Sequence, residues 1–166
     1  MYRDQFDISD EWAVRAVDLQ EHLLRHNPTI VHFSGHGSAS GELVLEDLNG
    51  LSHPVEVDAL RTLFSLLGNS IKCVVLNACF SETQARAIAE TVDCVVGMSD
   101  TIGDDSAIAF ASSFYQALGY GQSVKSAFDL GCNQIHISAL NEQEIPKLLV
   151  RSGVDPANVF LPLQSP

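Results

Sequence analysis

Basic side chains are scarce in this sequence. Lysine and arginine together number 9, against 21 aspartates and glutamates in 166 residues, which leaves a formal net charge of −12. Nucleic acids and anionic membranes bind basic surfaces, so this balance argues against both as partners. The charge is compatible with basic peptide substrates, although ordinary solvation of the surface accounts for most of it.

Cysteines are also few, and their spacing matches no zinc motif. Of the 4 cysteines, Cys73 and Cys94 fall in predicted strands and Cys132 near a predicted helix end, which is typical of core residues. With 46% hydrophobic residues, the chain builds a core large enough to fold without a disulfide framework. Neither a signal peptide nor an apolar run of membrane-spanning length is recognisable. We therefore expect a reducing, cytoplasmic location, no metal and no organic cofactor.

The segment Lys72–Ser81 contains the clearest predicted strand and a candidate nucleophile. Cys73–Leu76 is short, rich in β-branched residues and apolar on both faces, which is typical of a central strand in a parallel sheet. Asn77–Cys79 then lies at the carboxyl end of that strand, where open α/β sheets place their chemistry. Cys79 is a candidate nucleophile, provided that a histidine reaches it.

His36 follows a second predicted strand and supplies that histidine. Thr29–Phe33 is another β-branched run, and the glycines of Ser34–Ser38 end it in a tight turn. If the two strands are parallel neighbours, His36 and Cys79 emerge side by side. Taken singly, a buried cysteine is usually a small hydrophobe and a loop histidine is usually just polar. At the ends of two strands, the two together favour a catalytic pair.

Strands and helices alternate along the chain, which predicts a parallel α/β sheet covered on both faces. Asp93–Met98 is a third predicted strand, and Asn49-Gly50 predicts a hairpin turn between Gly41–Asp47 and Ser52–Val57. Two further strands are predicted, a weak one at Tyr2–Ile8 and a last one at Asn158–Leu163. Helices are predicted at Val17–Leu24, Asp58–Gly68, Glu82–Thr91, Ser106–Leu118, Ser123 to about Leu130, and Glu142–Arg151. Asp58 and Ser123 are the predicted N-caps of their helices. The helical histidines His22 and His26 are interpreted as solvated residues.

Six segments carry a family resemblance, in this order along the chain: Val31–Gly37, Val74–Ser81, Val95–Met98, Ala107–Ala111, Phe114–Leu118 and Gly121–Val124. They resemble the corresponding segments of CHAT-domain proteases, which are caspase-like cysteine peptidases related to separase. The resemblance runs from about Asp10 to Asn133. It implies a single CHAT domain over residues 1–166 with a caspase-like three-layer fold, in which a mostly parallel central sheet is flanked by helices and a β-hairpin follows the catalytic histidine.

The resemblance also implies a strand that this chain does not show. Family members open with an apolar strand and helix before the segment that matches Phe6–Asp10, and that strand is central in the caspase-like sheet. We expect the usual first strand to be absent here, so that the chain is a fragment, a processed piece or a shortened form. We expect Tyr2–Ile8 to move in beside Ile30–Phe33, a second chain to pair there, or the Ile30–Phe33 strand to become an edge.

The function implied by the resemblance is that of a cysteine endopeptidase acting on protein substrates, in a regulated signalling or defence context. Cys79 would attack the scissile carbonyl, and His36 would protonate the leaving amine and later activate water. The backbone N–H groups of Gly37 and Cys79 would form the oxyanion hole. No third, orienting carboxylate is evident. The helix predicted after Cys79 would favour the thiolate through its dipole.

Asp100 is the candidate specificity residue. It follows the predicted strand Asp93–Met98, and in separase an aspartate just after the equivalent strand binds the P1 arginine. The resemblance therefore implies cleavage after Arg, or less well after Lys. Asp100 could equally be a solvated loop residue. Asp104 and Asp105 are interpreted as acids that stabilise the start of the next helix.

Two other functions remain open from the sequence. One is a catalytically silent signalling or assembly module on the same fold, which the retained pair of His36 and Cys79 disfavours and the missing strand favours. The other is a flavodoxin-like binding domain, which would need a phosphate-binding glycine-rich loop after its first strand, and none is visible. The expected partners are a protein or peptide substrate and a regulatory module or partner chain.

Overall fold

The computed structural model describes residues 6–162 and contains a four-stranded sheet and a three-stranded sheet. The strands are β1 (Ile30–Ser34), β2 (His36–Gly37), β3 (Leu43–Glu46), β4 (Ser52–Val55), β5 (Cys73–Asn77), β6 (Cys94–Met98) and β7 (Pro146–Val150). The helices are α1 (Leu19–His26), α2 (Val57–Leu67), α3 (Glu82–Ile88), α4 (Asp104–Gly119) and α5 (Val124–Ile137). No helix within residues 6–162 is long and apolar enough to cross a bilayer.

The four-stranded sheet has the order β1-β5-β6-β7, and its first three strands are parallel. The predicted mostly parallel α/β sheet is confirmed, and each of the three predicted strands agrees with an observed strand to within one residue at either end. β7 runs antiparallel to β6, with Leu149 opposite Val95. The predicted helix at Glu142–Arg151 is therefore wrong. Pairing with the buried β6 outweighs the helical propensity of the segment, and Pro146 can begin a strand because a strand's first residue need not donate.

Helices cover both faces of this sheet. Successive side chains of a strand point to opposite faces, so Val75 packs in the cluster with α4 and α5 while Val74 packs in the cluster with α2 and α3. Phe114 on the first face and Ile88 on the second are fully buried. A strand buried on both faces needs apolar residues at every position, which is why β5 reads as a continuous apolar run.

Within residues 6–162, β1 pairs only with β5 and lies at the edge of the sheet. Of the predicted strand Tyr2–Ile8, residues 2–5 lie outside the described part of the chain, and Phe6–Ile8 forms no strand. Phe6 instead packs edge-on against the Tyr115 ring of α4, with ring centroids 6.3 Å apart. Three outcomes were expected for the strand at Ile30–Phe33. In the described residues, the third is observed: this strand lies at the edge of the sheet.

The three-stranded sheet is antiparallel and has the order β2-β3-β4. The predicted hairpin is confirmed, and Asp47 organises its turn because one carboxylate oxygen accepts from the backbone N–H of Asn49 at 2.7 Å and of Leu51 at 2.9 Å. Gly50 has a φ of 75°, a conformation that favours glycine. The sheet begins with His36, so the hairpin is an extension of the loop that carries this histidine.

Several helix boundaries differ from those predicted. Asp58 is not the N-cap of α2, because the helix begins at Val57 and the N-cap position is occupied by Glu56. The Glu56 side chain makes no capping hydrogen bond. Ser123 is the N-cap of α5, as predicted, and its hydroxyl accepts from the Ser126 N–H at 3.2 Å, but the helix extends to Ile137.

The predicted strand Asn158–Leu163 is also wrong. A 3-10 turn occupies Pro156–Asn158, and the described residues after it, 159–162, form no strand. Val159 and Leu161 are buried against the cluster of α4 and α5. Their alternation reflects an extended segment lying across helices, which periodicity alone does not distinguish from a strand.

Candidate active site

The loops after β1 and β5 leave the sheet side by side. Ser34 is opposite Asn77 in the parallel register, and the Gly35 N–H donates to the Asn77 carbonyl oxygen at 3.4 Å. Because both strands end at the same sheet edge, His36 and Cys79 follow within two residues of this contact. The predicted neighbourhood of the two strands is therefore present.

Gly37 lies directly against the backbone of Cys79. A Cβ added to Gly37 would lie 1.9 Å from the Cys79 carbonyl oxygen and 3.0 Å from its carbonyl carbon. Real Cβ atoms do not approach backbone atoms this closely, so no other residue fits here without displacement. The glycine is required for close approach of two backbones. This contact fixes the loop that carries His36 against the nucleophile candidate.

The hydrogen-bond pattern of β2 and β3 leaves the Gly37 N–H facing away from β3. The Ser38 N–H donates to the Glu42 carbonyl oxygen at 2.8 Å, and antiparallel pairs alternate between bonded and non-bonded. The next pair, Gly37 with Leu43, is therefore a non-bonded pair. In agreement, the Leu43 N–H donates to the side chain of Gln84 at 2.8 Å.

The Cys79 N–H is also available. Within residues 6–162, neither a backbone nor a side-chain oxygen accepts from it. Two backbone donors, of Gly37 and Cys79, are thus placed on adjacent loops without an internal acceptor. An oxyanion hole needs two such donors aimed at one oxygen position.

Gln84 connects α3 to the sheet that carries His36, and sequence reasoning missed it. Its side chain is fully buried, its Oε1 accepts from Leu43 and its Nε2 donates to the Val55 carbonyl oxygen at 2.7 Å. The side-chain amide thereby bridges the ends of β3 and β4. The available signal was its spacing, since Gln84 lies one turn before the buried Ile88 on the inward face of α3 and a buried polar group must be hydrogen-bonded.

Ser81 holds the carboxyl ends of β5 and β6 together, and its role was also missed. Its buried hydroxyl donates to the Leu76 carbonyl oxygen at 2.9 Å and accepts from the Met98 N–H at 3.0 Å. Both bonds are made to backbone, so they fix the position of the turn that contains Cys79. Ser81 is therefore a positioning residue, which acts through the backbone of Leu76 and Met98.

The turn between Cys79 and α3 places Asp100 beside the site. Phe80 has a φ of 58°, in the left-handed region, and its N–H donates to the Asp100 carbonyl oxygen at 3.3 Å. Asp100 is exposed, and its carboxylate accepts from the Thr101 N–H at 2.7 Å. The residue predicted for specificity is therefore within one hydrogen bond of the residue that follows Cys79.

Three of the four cysteines are chemically protected. Burial raises the pKa of Cys94 to about 12 and the pKa of Cys132 to about 11. Burial also raises the pKa of Cys73, which has no exposed surface. The thiolate is the reactive form, so these three thiols are inert near neutral pH. Cys79 is half-buried, and its Sγ lies 4.0 Å from the Ile102 carbonyl oxygen.

The loop and helix beyond Asp100 add further acidic groups. Asp104 and Asp105 lie in the first turn of α4, which begins at Asp104, two residues before the predicted start at Ser106. A carboxylate oxygen of Glu142 accepts from the Gly103 N–H at 3.1 Å. Within residues 6–162, the His, Cys, Asp and Glu donors that converge as a metal site would require are those of Glu11, His22 and His26. His22 and His26 lie on α1 and Glu11 lies in the segment before it, apart from the loops that carry His36 and Cys79.

Comparison with known proteins gives a family match and two relatives. The family model described as CHAT domain matches residues 8–130. A "Probable protease" of Gillisia limnaea is 26% identical over 140 residues, which are 82% of this chain and 25% of the relative. A "Roc-COR-CHAT protease" of an unknown prokaryotic organism is 30% identical over 112 residues, which are 64% of this chain and 10% of that relative. The chain thus spans a quarter or less of the relatives that it matches.

Proposed function

The chain belongs to the CHAT domain family, and from this premise we propose that it is a cysteine endopeptidase that uses Cys79 and His36. Its mostly parallel sheet, flanked by helices, has the caspase-like architecture of that family. The observation that carries the proposal is the contact of Gly37 with the Cys79 backbone, because it joins the two loops that bear the pair. The protease names of both relatives support the same reaction class.

The mechanism follows from the placement of four groups. The Cys79 thiolate attacks the peptide carbonyl carbon, forming a C–S bond while the carbonyl π electrons move to oxygen. The N–H groups of Gly37 and Cys79 donate to that oxyanion. As the oxyanion collapses, the C–N bond breaks and protonated His36 gives its proton to the leaving amine. His36 then takes a proton from water, whose oxygen adds to the thioester carbon. As this second tetrahedral intermediate collapses, the C–S bond breaks, the acid product leaves and the Cys79 thiolate is restored beside protonated His36.

His36 acts without an orienting carboxylate in this proposal. It is exposed, and within residues 6–162 no Asp or Glu side chain hydrogen-bonds to its ring. The pair is therefore a dyad, in which the short strand β2 fixes the backbone of the histidine by pairing with β3. Metals and organic cofactors have no part in these steps.

The test of the nucleophile is selective labelling. The chain is incubated with a peptide that carries a P1 arginine and a thiol-reactive electrophile, and intact mass and peptide mapping follow. We expect one adduct per chain, at Cys79, because burial keeps the other thiols protonated. Cys132→Ala should label like the wild type, and Cys79→Ala should not label. Labelling that is spread over several cysteines, or that survives Cys79→Ala, would contradict the proposal.

Asp100 is proposed as the residue that selects a basic P1 side chain. Its loop is bonded to the residue after Cys79, and its carboxylate is exposed. A guanidinium can pair with a carboxylate bidentately, whereas lysine offers a single point charge. Glu142, which accepts from the Gly103 N–H, adds a second negative charge near this loop.

Asp100→Asn should therefore weaken the preference for arginine without removing the reaction. In a peptide library that varies P1, we expect kcat/KM for Arg to fall by about 10- to 100-fold, since hydrogen bonds to charged groups contribute about 1.5–3 kcal/mol. Cleavage after uncharged P1 residues should change little. Asp105→Asn is the matched control, because that acid lies in the first turn of α4. An unchanged Arg preference, or a wild-type preference for acidic P1, would refute the assignment.

The alternative is a catalytically silent CHAT-like signalling or assembly module. It requires that the fold persist while Cys79 is unreactive towards the P1-arginine probe. The name of the second relative places a CHAT protease in one chain with Roc and COR. For this protein, a regulated context with an attached or separate controlling module, and a cytoplasmic location, remain proposals.

A further inference from the structure

Three donor side chains converge beside α1, away from the Cys79 site. One carboxylate oxygen of Glu11 lies 2.9 Å from His26 Nε2 and 3.2 Å from His22 Nδ1. His22 and His26 are one turn apart on α1, and their rings are stacked with centroids 6.5 Å apart. The donor atoms of all three residues lie within 4.8 Å of one another.

One ring nitrogen of His22 lacks a hydrogen-bond partner in this cluster. Its Nδ1 is shielded from solvent and, among residues 6–162, makes no hydrogen bond, although Glu11 is near. A buried polar atom without a partner requires an explanation. An imidazole nitrogen with a free lone pair is a ligand for a transition-metal ion. The unpaired nitrogen lies 3.2 Å from the same carboxylate oxygen that His26 contacts.

The donor set and its dimensions fit one class of ion. Zinc bonds of about 2.0–2.2 Å in a tetrahedral arrangement require donor atoms roughly 3.4 Å apart. The two separations from Glu11, 2.9 and 3.2 Å, approach this value. The two histidine nitrogens lie within 4.8 Å of each other, so side-chain rotations have to close that third separation. Two imidazoles with one carboxylate suit zinc and its neighbours, whereas magnesium and calcium require mainly oxygen ligands.

Arg25 is the competing cation. Its guanidinium lies 3.7 Å from Glu11 but also pairs with Glu21 one turn earlier on α1. The Arg25 side chain is 53% exposed, so it can keep the Glu21 contact and leave Glu11 to another cation. An exposed ion pair of this kind contributes little to stability.

We propose that Glu11, His22 and His26 form a binding site for a divalent transition-metal ion of the zinc class, with water in the fourth position. Glu11 lies before the 3-10 turn Ala16–Asp18, and both histidines lie on α1. The ion would therefore join the segment before α1 to that helix. His26 precedes the amino end of β1 while His36 follows its carboxyl end, so the site is separate from the proposed dyad.

The test is a zinc titration of the whole chain carrying Cys79→Ala and His36→Ala, which removes the dyad as a competing thiol–imidazole ligand pair. Competition with a chromophoric chelator should show one zinc ion bound per chain. His26→Gln should weaken this binding by at least about 10- to 100-fold, the loss typical even of partners outside the ligand set. His53→Gln, which changes an exposed histidine of β4, should leave it unchanged.

Two further measurements separate ligation from folding. Glu11→Gln lies outside α1 and removes the carboxylate without altering the helix, and it should also weaken zinc binding. The single tryptophan, Trp12, adjoins Glu11, so paramagnetic Co²⁺ should quench its fluorescence in the parent and much less in His26→Gln. Circular dichroism checks that the variants are folded. Equal zinc affinity in the parent, His26→Gln and Glu11→Gln, or no binding of one ion per chain, would overturn the proposal.

Discussion

Cys79→Ala is expected to abolish peptidase activity, and His36→Ala is expected to lower kcat/KM by about 10²- to 10⁴-fold, the usual contribution of a positioned acid–base group. In the proposed mechanism, alanine at 79 removes the sulfur that would form the acyl intermediate. Alanine at 36 leaves the thiol but removes the group that would protonate the leaving amine. The measurement is the cleavage rate of a fluorogenic peptide with arginine at P1.

Cys79→Ala sets the background rate of the assay, against which the residual rate of His36→Ala is measured. Cys132→Ala and His53→Ala are the matched controls and should retain wild-type rates, since Cys132 has a raised pKa and His53 lies in the hairpin. Undiminished cleavage by Cys79→Ala would end the peptidase assignment.

The parts of the fold that could be predicted are those where local pattern and burial agree. β5 and β6 are buried on both faces, so every position apart from the terminal Asn77 is apolar, and both strands can be predicted without knowledge of their partners. The hairpin can be predicted because Asn49-Gly50 is typical of a hairpin turn. Once β1 and β5 are neighbours, the proximity of the His36 and Cys79 loops follows from topology alone.

The predictions that were wrong concern segments whose secondary structure is determined by contacts with residues far away in sequence. Lys147–Val150 has residues that suit a helix or a strand, and its state is set by pairing with β6. Leu148 packs on one face of the sheet and Leu149 on the other. No local pattern contains that information, because the partner strand lies far away in sequence.

The same limit applies to the residues that position the site. Gln84 bonds to Leu43 and Val55, and Ser81 bonds to Leu76 and Met98. Each connects elements that are not adjacent in sequence, so its role is visible only in three dimensions. The dyad candidates could be predicted because strand ends indicate them, whereas the groups that hold the two loops could not.

Gly37→Ala is expected to inactivate the peptidase almost as completely as loss of the dyad. The new methyl group would lie 1.9 Å from the Cys79 carbonyl oxygen, so the two loops must separate. Separation moves the Gly37 N–H away from the oxyanion, and loss of one such donor typically costs about 10²- to 10³-fold in kcat. It also moves His36 relative to Cys79, which adds to the loss.

Stability is the rival explanation, and Gly131→Ala controls for it. A Cβ at Gly131 would lie 2.7 Å from the Phe110 ring, between α5 and α4 and away from both loops. Overpacking of this kind costs typically about 1–3 kcal/mol, so both variants should show lower thermal midpoints. Only Gly37→Ala should lose kcat when the two are assayed well below their midpoints, and it should still label slowly with a small thiol reagent that needs no oxyanion hole. If Gly37→Ala retained wild-type kcat, the proposed role of its N–H and of the contact with Cys79 would both be wrong.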